Sequence, residues 1–342
     1  KGGALPWSIV DVRVVKNKKD YIEAHLLEIR KYDEKIINGT PLCAHFFSPI
    51  WEQNQPAHKT GCGGCKWQVM TYESQLALKE SIIKDAFSKL SKTHQINFLP
   101  IVGSPLEKGY RNKIEFSFGV YKQLNDAFKK AKKSWTPEQE LLAQGLEKYA
   151  VDSDFNIGFH KQWEFSKIVD VDSCGLISEK ANQIFTYFKK LCLESGLPVY
   201  DQKNHQGFFR HLVLREGVNT HQIMINLSVS NENLSDEKGE TQLREQFLEK
   251  IKADSFLQDQ VSTMIISYNN GLADVVNIPE TEIKTFWWEG SIYEKLFFTQ
   301  KEGECEAILR IWPSSFFQTN TLGAQLLFST AIKMAGKIEG NV

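Results

Sequence analysis

The sequence predicts an α+β protein. Short segments of alternating apolar and polar residues are scattered along the chain, other segments carry apolar residues at helical spacing, and the two kinds mix without a regular strand–helix–strand rhythm. With 342 residues, 42% of them hydrophobic, the chain can bury substantial cores and is long enough for two or three domains.

Ser8 to Val15 alternates, with Val10, Val12 and Val14 on one face and Asp11 and Arg13 on the other. Tyr21 to Ile29 alternates again after a basic connection containing Lys16, Lys18 and Lys19, which predicts two antiparallel strands with a positively charged tip. Tyr72 to Leu90 is the clearest helix, because Leu76, Ile83, Phe87 and Leu90 recur at helical spacing among Lys and Glu. From Arg111 the pattern turns to strands, with Ile114, Phe116 and Phe118 alternating against Lys113, Glu115 and Ser117. Further strands are expected at Phe155 to Phe159, His211 to Arg215, Gln222 to Leu227 and Met264 to Tyr268, and helices at Glu179 to Glu194 and Glu240 to Lys252. A last helix runs from Leu322 through Leu326, Leu327 and Met334. Gln123 to Tyr149 interrupts the strands with a Lys-rich, then Glu-rich stretch, read as a helical insertion. Its Lys129, Lys130, Lys132 and Lys133 suit a solvated helix face better than an RNA-contacting arm.

No apolar run approaches the roughly 20 residues of a membrane-spanning helix, and Lys1 to Val10 has no signal-peptide core, so a cytoplasmic location is expected. The net charge of −1, from 41 basic and 42 acidic residues, excludes a global electrostatic attraction to nucleic acid. Any RNA contact must come from local basic clusters.

Six cysteines, including one C-x-x-C pair and no secretory signal, point to metal or redox chemistry rather than a disulfide framework. Cys62-Gly63-Gly64-Cys65 sets two thiolates at chelating spacing around two glycines that allow a tight backbone path. Cys43 stands upstream and Cys174 far downstream, and three local ligands plus one distant ligand can hold an iron–sulfur cluster. A zinc half-site completed by His45 or His58, or a redox pair, is also compatible with an isolated C-x-x-C. Cys192 and Cys305 stand alone in apolar surroundings and read as structural thiols.

Cys62-Gly63-Gly64-Cys65-Lys66-Trp67-Gln68 and the Tyr72 to Lys79 helix resemble the C-G-G-C-x-x-Q segment and following helix of the iron–sulfur 23S ribosomal RNA uracil-5-methyltransferases. Gly109-Tyr110-Arg111-Asn112-Lys113 resembles that family's Y-R-N-K strand, Asp172-Ser173-Cys174 its fourth-ligand site, and Ser315-Phe316-Phe317-Gln318-Thr319-Asn320 its F-x-Q-[TV]-N stretch. The Ser8 to Ile29 hairpin is similar to the end of a TRAM domain, a small RNA-contacting β-barrel. One departure is the 18 residues between Cys43 and Cys62, where the family has only a few. The insertion around Lys129 is another.

The resemblance implies a partial TRAM-like β-barrel over 1–40 and a central α+β domain over 41–70 and 108–308. It also implies the first helices of a Rossmann-like methyltransferase domain over 71–107 and 309–342, with the remainder missing. It further implies a 4Fe-4S cluster on Cys43, Cys62, Cys65 and Cys174, S-adenosyl-L-methionine contacts from Gln318 and Phe316, and RNA contacts from Arg111, Lys113, Lys16, Lys18 and Lys19. Ribosomal RNA is favoured over tRNA, and no protein partner is implied. The family adds a cysteine thiolate to C6 of uracil, activating C5 toward the methyl donor, and a base then removes the C5 proton. No glycine-rich donor loop precedes Val342, so the nucleophile and base are expected beyond it and the fragment alone is expected to be inactive. A non-catalytic RNA-binding module with a cluster or zinc site is the alternative from a different class. Thr319 or Asn320 can equally cap the last helix.

Overall fold

The computed structural model describes residues 4–19, 21–37, 41–46, 59–121, 153–162, 164–202, 204–231, 239–276, 282–287, 289–300 and 303–336. The Gln123 to Tyr149 insertion and His58 lie outside them.

Strands β1 (Ile9–Asn17) and β2 (Ile22–Lys31) pair antiparallel with each other alone. The expected portion of a barrel is therefore a two-stranded ribbon, and the described residues contain no closed barrel. Two strands generate an apolar face but cannot enclose it, which leaves Val12, Val14, Ile22 and Leu27 exposed.

Helix α1 (Tyr72–Ala86) starts where the Thr71 hydroxyl accepts from the Ser74 amide, and no α1 residue is buried. The chain then enters one large mixed sheet built from β3 (Lys113–Tyr121), β4 (Ser153–Lys161), β5 (Glu164–Asp170), β6 (Phe209–Gly217), β7 (Gln222–Val229), β8 (Thr263–Tyr268) and β9 (Glu282–Trp287). Its strand order is β5-β4-β3-β6-β7-β8-β9. Every pairing is antiparallel except β7 with β8. A parallel neighbour requires a crossover, here supplied by α3 (Glu240–Ala253) and α4 (Ser255–Gln260), while α2 (Glu179–Glu194) fills the link from β5 to β6.

The period of two decides which face is core. Ile114, Phe116 and Phe118 of β3, with Leu212 and Leu214 of β6, join Ile184, Phe185 and Phe188 of α2 and Phe247 and Ile251 of α3 in one apolar cluster. Phe116 stacks on Phe185 at 4.1 Å between ring centroids, and Phe118 on Phe209 at 4.9 Å. On the opposite face, Met224 and Ile265 meet Ile292 and Ile311 of a separate hairpin, β10 (Ile292–Gln300) and β11 (Gly303–Ile311), against which the last helix, α5 (Thr321–Ala335), packs.

The link from β8 to β9 is fastened by charge. Arg210 donates to the carbonyls of Asn269 at 2.8 Å, Gly271 at 2.5 Å and Ala273 at 2.7 Å, with its guanidinium over the Tyr200 ring. Asp274 then reaches His160 Nε2 on β4 at 3.1 Å and His211 Nε2 on β6 at 3.3 Å, the second contact misaligned for a hydrogen bond and hence electrostatic. Burial disfavours the charged His160 ring, but its hydrogen bonds to Asp274 and the Phe165 carbonyl outweigh that and raise its pKa. Burial likewise opposes the Asp274 carboxylate, yet bonds from His160 and Gln202 and the close His211 ring hold it far below the ordinary range.

The two signs define a window. A raised histidine stabilises the fold fully below about pH 6.5 and loses its contribution as pH climbs through the folded value, whereas a depressed carboxylate contributes above about pH 4. Asp274→Asn is therefore expected to lower stability by about 1.5–3 kcal/mol near pH 5–6, with the difference from wild type shrinking toward pH 8. Urea unfolding across that range checks it, and a pH-independent difference would contradict the ion pair as its cause.

Candidate functional site

Cys43, Cys62, Cys65 and Cys174 come from three separate segments and line one small cavity, walled by Phe46, Phe159, Val171 and Leu176. Strand β4, second in the sheet, sets the C-x-x-C loop: Gly63 donates its amide to the His160 carbonyl at 2.9 Å, and Cys62 bridges Lys161. A Cβ on Gly63 would fall 2.6 Å from that carbonyl oxygen, so the position excludes any side chain. Cys174 follows β5, where Asn182 of α2 accepts from its amide at 2.8 Å and donates to its carbonyl at 3.0 Å. Gln162 donates to the Cys65 carbonyl at 3.1 Å.

Burial, followed by the neighbouring thiols, pushes the Cys62 thiol up to about 12 and the Cys174 thiol to about 11, and burial also raises Cys43. Four sulfurs facing one another cannot all ionise unless a cation shares the space. Among the described residues no three His, Cys, Asp or Glu side chains approach closely enough to hold a single metal ion. His45 is bonded to backbone through both ring nitrogens, to the Lys59 carbonyl and the Asp172 amide, so it offers no free lone pair for a zinc half-site. Cys192 is fully buried in the core, consistent with a structural thiol, and Cys305 lies on β11 away from the cavity.

A cleft of about 570 Å³ opens beside the thiols, lined by Lys66, Trp67, Tyr72, Gln75, Lys79, Tyr110, Arg111 and Asn320 among others. Arg111 lines both this cleft and the thiol cavity. Of the expected RNA-contacting residues it alone does so. Lys113 turns toward Glu115 at 3.7 Å, Lys16 lies 3.8 Å from Glu23, and Lys18 and Lys19 sit exposed on the ribbon tip. Sequence reading missed Lys79, Gln75 and Asn320 as cleft residues. The i, i+4 spacing of Gln75 and Lys79 on α1 places both on one helix face and was the available signal.

Asn112, next to Arg111, is buried and ties the chain's distant parts together. Its side-chain amide donates to the Gln318 carbonyl at 2.9 Å and to Thr321 Oγ1 at 2.8 Å. The Thr321 hydroxyl donates onward to Glu294 at 2.8 Å, and that fully buried carboxylate accepts from the amides of Val218 and Asn219 at 2.8 and 2.9 Å. Asn320, not Thr319, caps α5, accepting from the Gly323 amide. Between these anchors Phe317 packs into the core, while Phe316, 87% exposed, and Gln318 face outward.

No protein-family model matches this chain. It is similar to uncharacterised RNA methyltransferases. One from Chlorobaculum tepidum is 27% identical over 335 residues, covering 98% of this chain and 59% of that protein. One from Nitratidesulfovibrio vulgaris is 28% identical, covering 97% and 58%. The chain thus spans about three fifths of the length of the curated relatives it matches. Among solved structures, it shares its fold with the Pyrococcus abyssi tRNA (uracil-54, C5)-methyltransferase in complex with S-adenosyl-L-homocysteine, at a TM-score of 0.53 and 21% identity over 98% of this chain and 59% of that one.

The Asn112 network is testable by stability. Asn112→Ala leaves Thr321 and the Gln318 carbonyl short of a partner and is expected to cost about 2–3 kcal/mol. Asn112→Asp sets a carboxylate against that carbonyl and near Glu294, and should cost more. An aspartate variant as stable as wild type in urea unfolding would contradict the assigned bonds.

Proposed function

We propose that this chain holds the RNA-binding part, the cluster-binding part and one edge of the donor site of an S-adenosyl-L-methionine-dependent RNA uracil-5-methyltransferase. The observation that carries the reading is the meeting at Arg111. The C-x-x-C loop, the Tyr110 to Lys113 segment and the Gln318 to Asn320 stretch are far apart in sequence. Yet Arg111 bridges Asn320, lines the cleft beside Lys66 and Trp67, and borders the thiol cavity. The similarity to named RNA methyltransferases supports the same reading.

The cleft suits an unstacked stretch of RNA. Lys66, Lys79 and Arg111 supply positive charge for phosphates, and Trp67 and Tyr110 supply aromatic surface for bases. Phe316 and Gln318 project from the adjoining segment, a ring for packing and an amide for hydrogen bonds to the donor. S-adenosyl-L-methionine, when bound, supplies an electrophilic sulfonium methyl. Arg111 would orient the target nucleotide toward that edge.

The four thiols also fit a 4Fe-4S cluster. A four-iron cluster takes one thiolate per iron, which suits four cysteines lining one apolar-walled cavity. Cys43, Cys62, Cys65 and Cys174 would hold it. Methyl transfer moves no net electrons, so its role here would be to set the loops that flank the cleft.

Three outcomes are expected. Anaerobic purification should yield a brown protein with about four irons per chain, and Cys174→Ser should lose most of them. Stoichiometric zinc without iron would count against the cluster. RNA binding should weaken steeply with salt, and Arg111→Ala should reduce it roughly tenfold, about 1.4 kcal/mol. Salt-indifferent binding would contradict the cleft. Deleting the gene should remove 5-methyluridine from one RNA class, ribosomal RNA rather than tRNA on the motif resemblance, as read by nucleoside mass spectrometry. Unchanged 5-methyluridine in both would overturn the assignment.

A further inference from the structure

Cys43 and Cys62 are separated by 18 residues, and the entropy lost on closing such a loop grows with its length. Something must hold its neck. One residue touches every segment involved. His45 is only 3% exposed, and its carbonyl accepts from the Gly61 amide at 3.1 Å and the Cys62 amide at 3.0 Å. Its own amide points at the Cys43 sulfur, 3.4 Å away. Its ring bonds the Lys59 carbonyl through Nδ1 at 2.8 Å, and Asp172, two residues before Cys174, donates its amide to Nε2 at 3.0 Å.

The partners fix the ring's chemistry. A carbonyl oxygen only accepts and an amide N–H only donates, so the proton sits on Nδ1 and the Nε2 lone pair is occupied. His45 thus cannot ligate a metal without releasing Asp172. Lys59 reinforces the same seam with a two-oxygen ion pair to the Asp172 carboxylate at 2.9 and 2.8 Å.

We propose that His45 is the positioning residue of the thiol cage: its ring and backbone lock the Cys43, Cys62 and Cys174 segments into one arrangement without binding the metal itself. The idea rests on the reading of these thiols as a cluster site, but the positioning is measurable without iron.

The test uses His45→Leu, which keeps bulk and removes both ring bonds, and His45→Asn, which retains a donor toward the Lys59 carbonyl. In metal-free protein, the rate at which diamide oxidises Cys43 to a disulfide with Cys62 or Cys65, located by peptide mass spectrometry, reports how the thiols are held. The leucine variant is expected to pair them about tenfold more slowly and, in iron-loaded protein, to release iron to a chelator about tenfold faster, the scale typical of residues that orient metal ligands. The asparagine variant should fall between. Thiol pairing at the wild-type rate in His45→Leu overturns the proposal whatever the iron does. Should the leucine variant fail to fold, the asparagine variant decides by the same criterion, and wild-type pairing and iron release in it overturn the proposal. Wild-type protein that takes up no iron sinks the cluster reading alone, leaving the thiol-pairing comparison to judge His45.

Discussion

The hydrogen bonds that leave the Arg111–Asn112 backbone and the Asn112 amide are what the rest of the site depends on. Asn112 passes its side-chain bonds to Gln318 and Thr321, and its backbone bonds to Thr319 and Glu216, while Arg111 takes the Leu176 carbonyl next to the Cys174 turn. The start of β3 is therefore the point at which the sheet, the thiol segments and the entry to α5 share one frame. A buried polar group that makes several hydrogen bonds is costly to disturb, and this one is chained through Thr321 to the fully buried Glu294. The cleft inherits its shape from that chain of bonds.

The thiol cavity has a similar logic with a different material. Its loops are held by backbone carbonyls and amides of β4, by Asn182 and by His45, in addition to the apolar packing of the walls. Directional bonds fix atoms more tightly than hydrophobic contacts do, which suits a site whose donors must converge. The apolar walls favour the protonated thiols, pushing Cys62 up to about 12 and Cys174 to about 11.

Much of this was legible in the chain. The helix at Glu179 to Glu194 was visible because Ser178 caps it and Ile184, Phe188 and Leu191 recur on one face. β3 and β8 announced themselves through alternation or dense β-branched residues. β5, β9, β10 and β11 were not anticipated. Glu282 to Trp287 and Gly303 to Ile311 do alternate, with Glu282 and Lys284 on one face of the first and Glu304, Glu306 and Arg310 on one face of the second, but sequence reading passed over these short signals. The barrel expectation failed for another reason: alternation identifies a strand with an apolar face, but not how many neighbours share it. At the site, the four cysteines and Arg111 named from the sequence do line one cavity. Asn182 and Gln162 were not named, because a residue that steadies another's backbone carries no pattern of its own. Lys113, grouped with Arg111 in the sequence reading, does not line the cleft and lies 3.7 Å from Glu115.

The neck at His45 also bears on how such a chain can vary over generations. Because Cys43 and Cys62 are joined at their bases, by the His45 carbonyl to the amides of Gly61 and Cys62, the number of residues between them is released from the geometry of the thiols. Length can drift there at a cost that rises only logarithmically. The Gly63 contact with the His160 carbonyl gives the opposite rule one residue past Cys62: no side chain fits. Insertions are thus channelled to one side of the site, and the same tetrad of sulfurs can persist beneath loops of very different size.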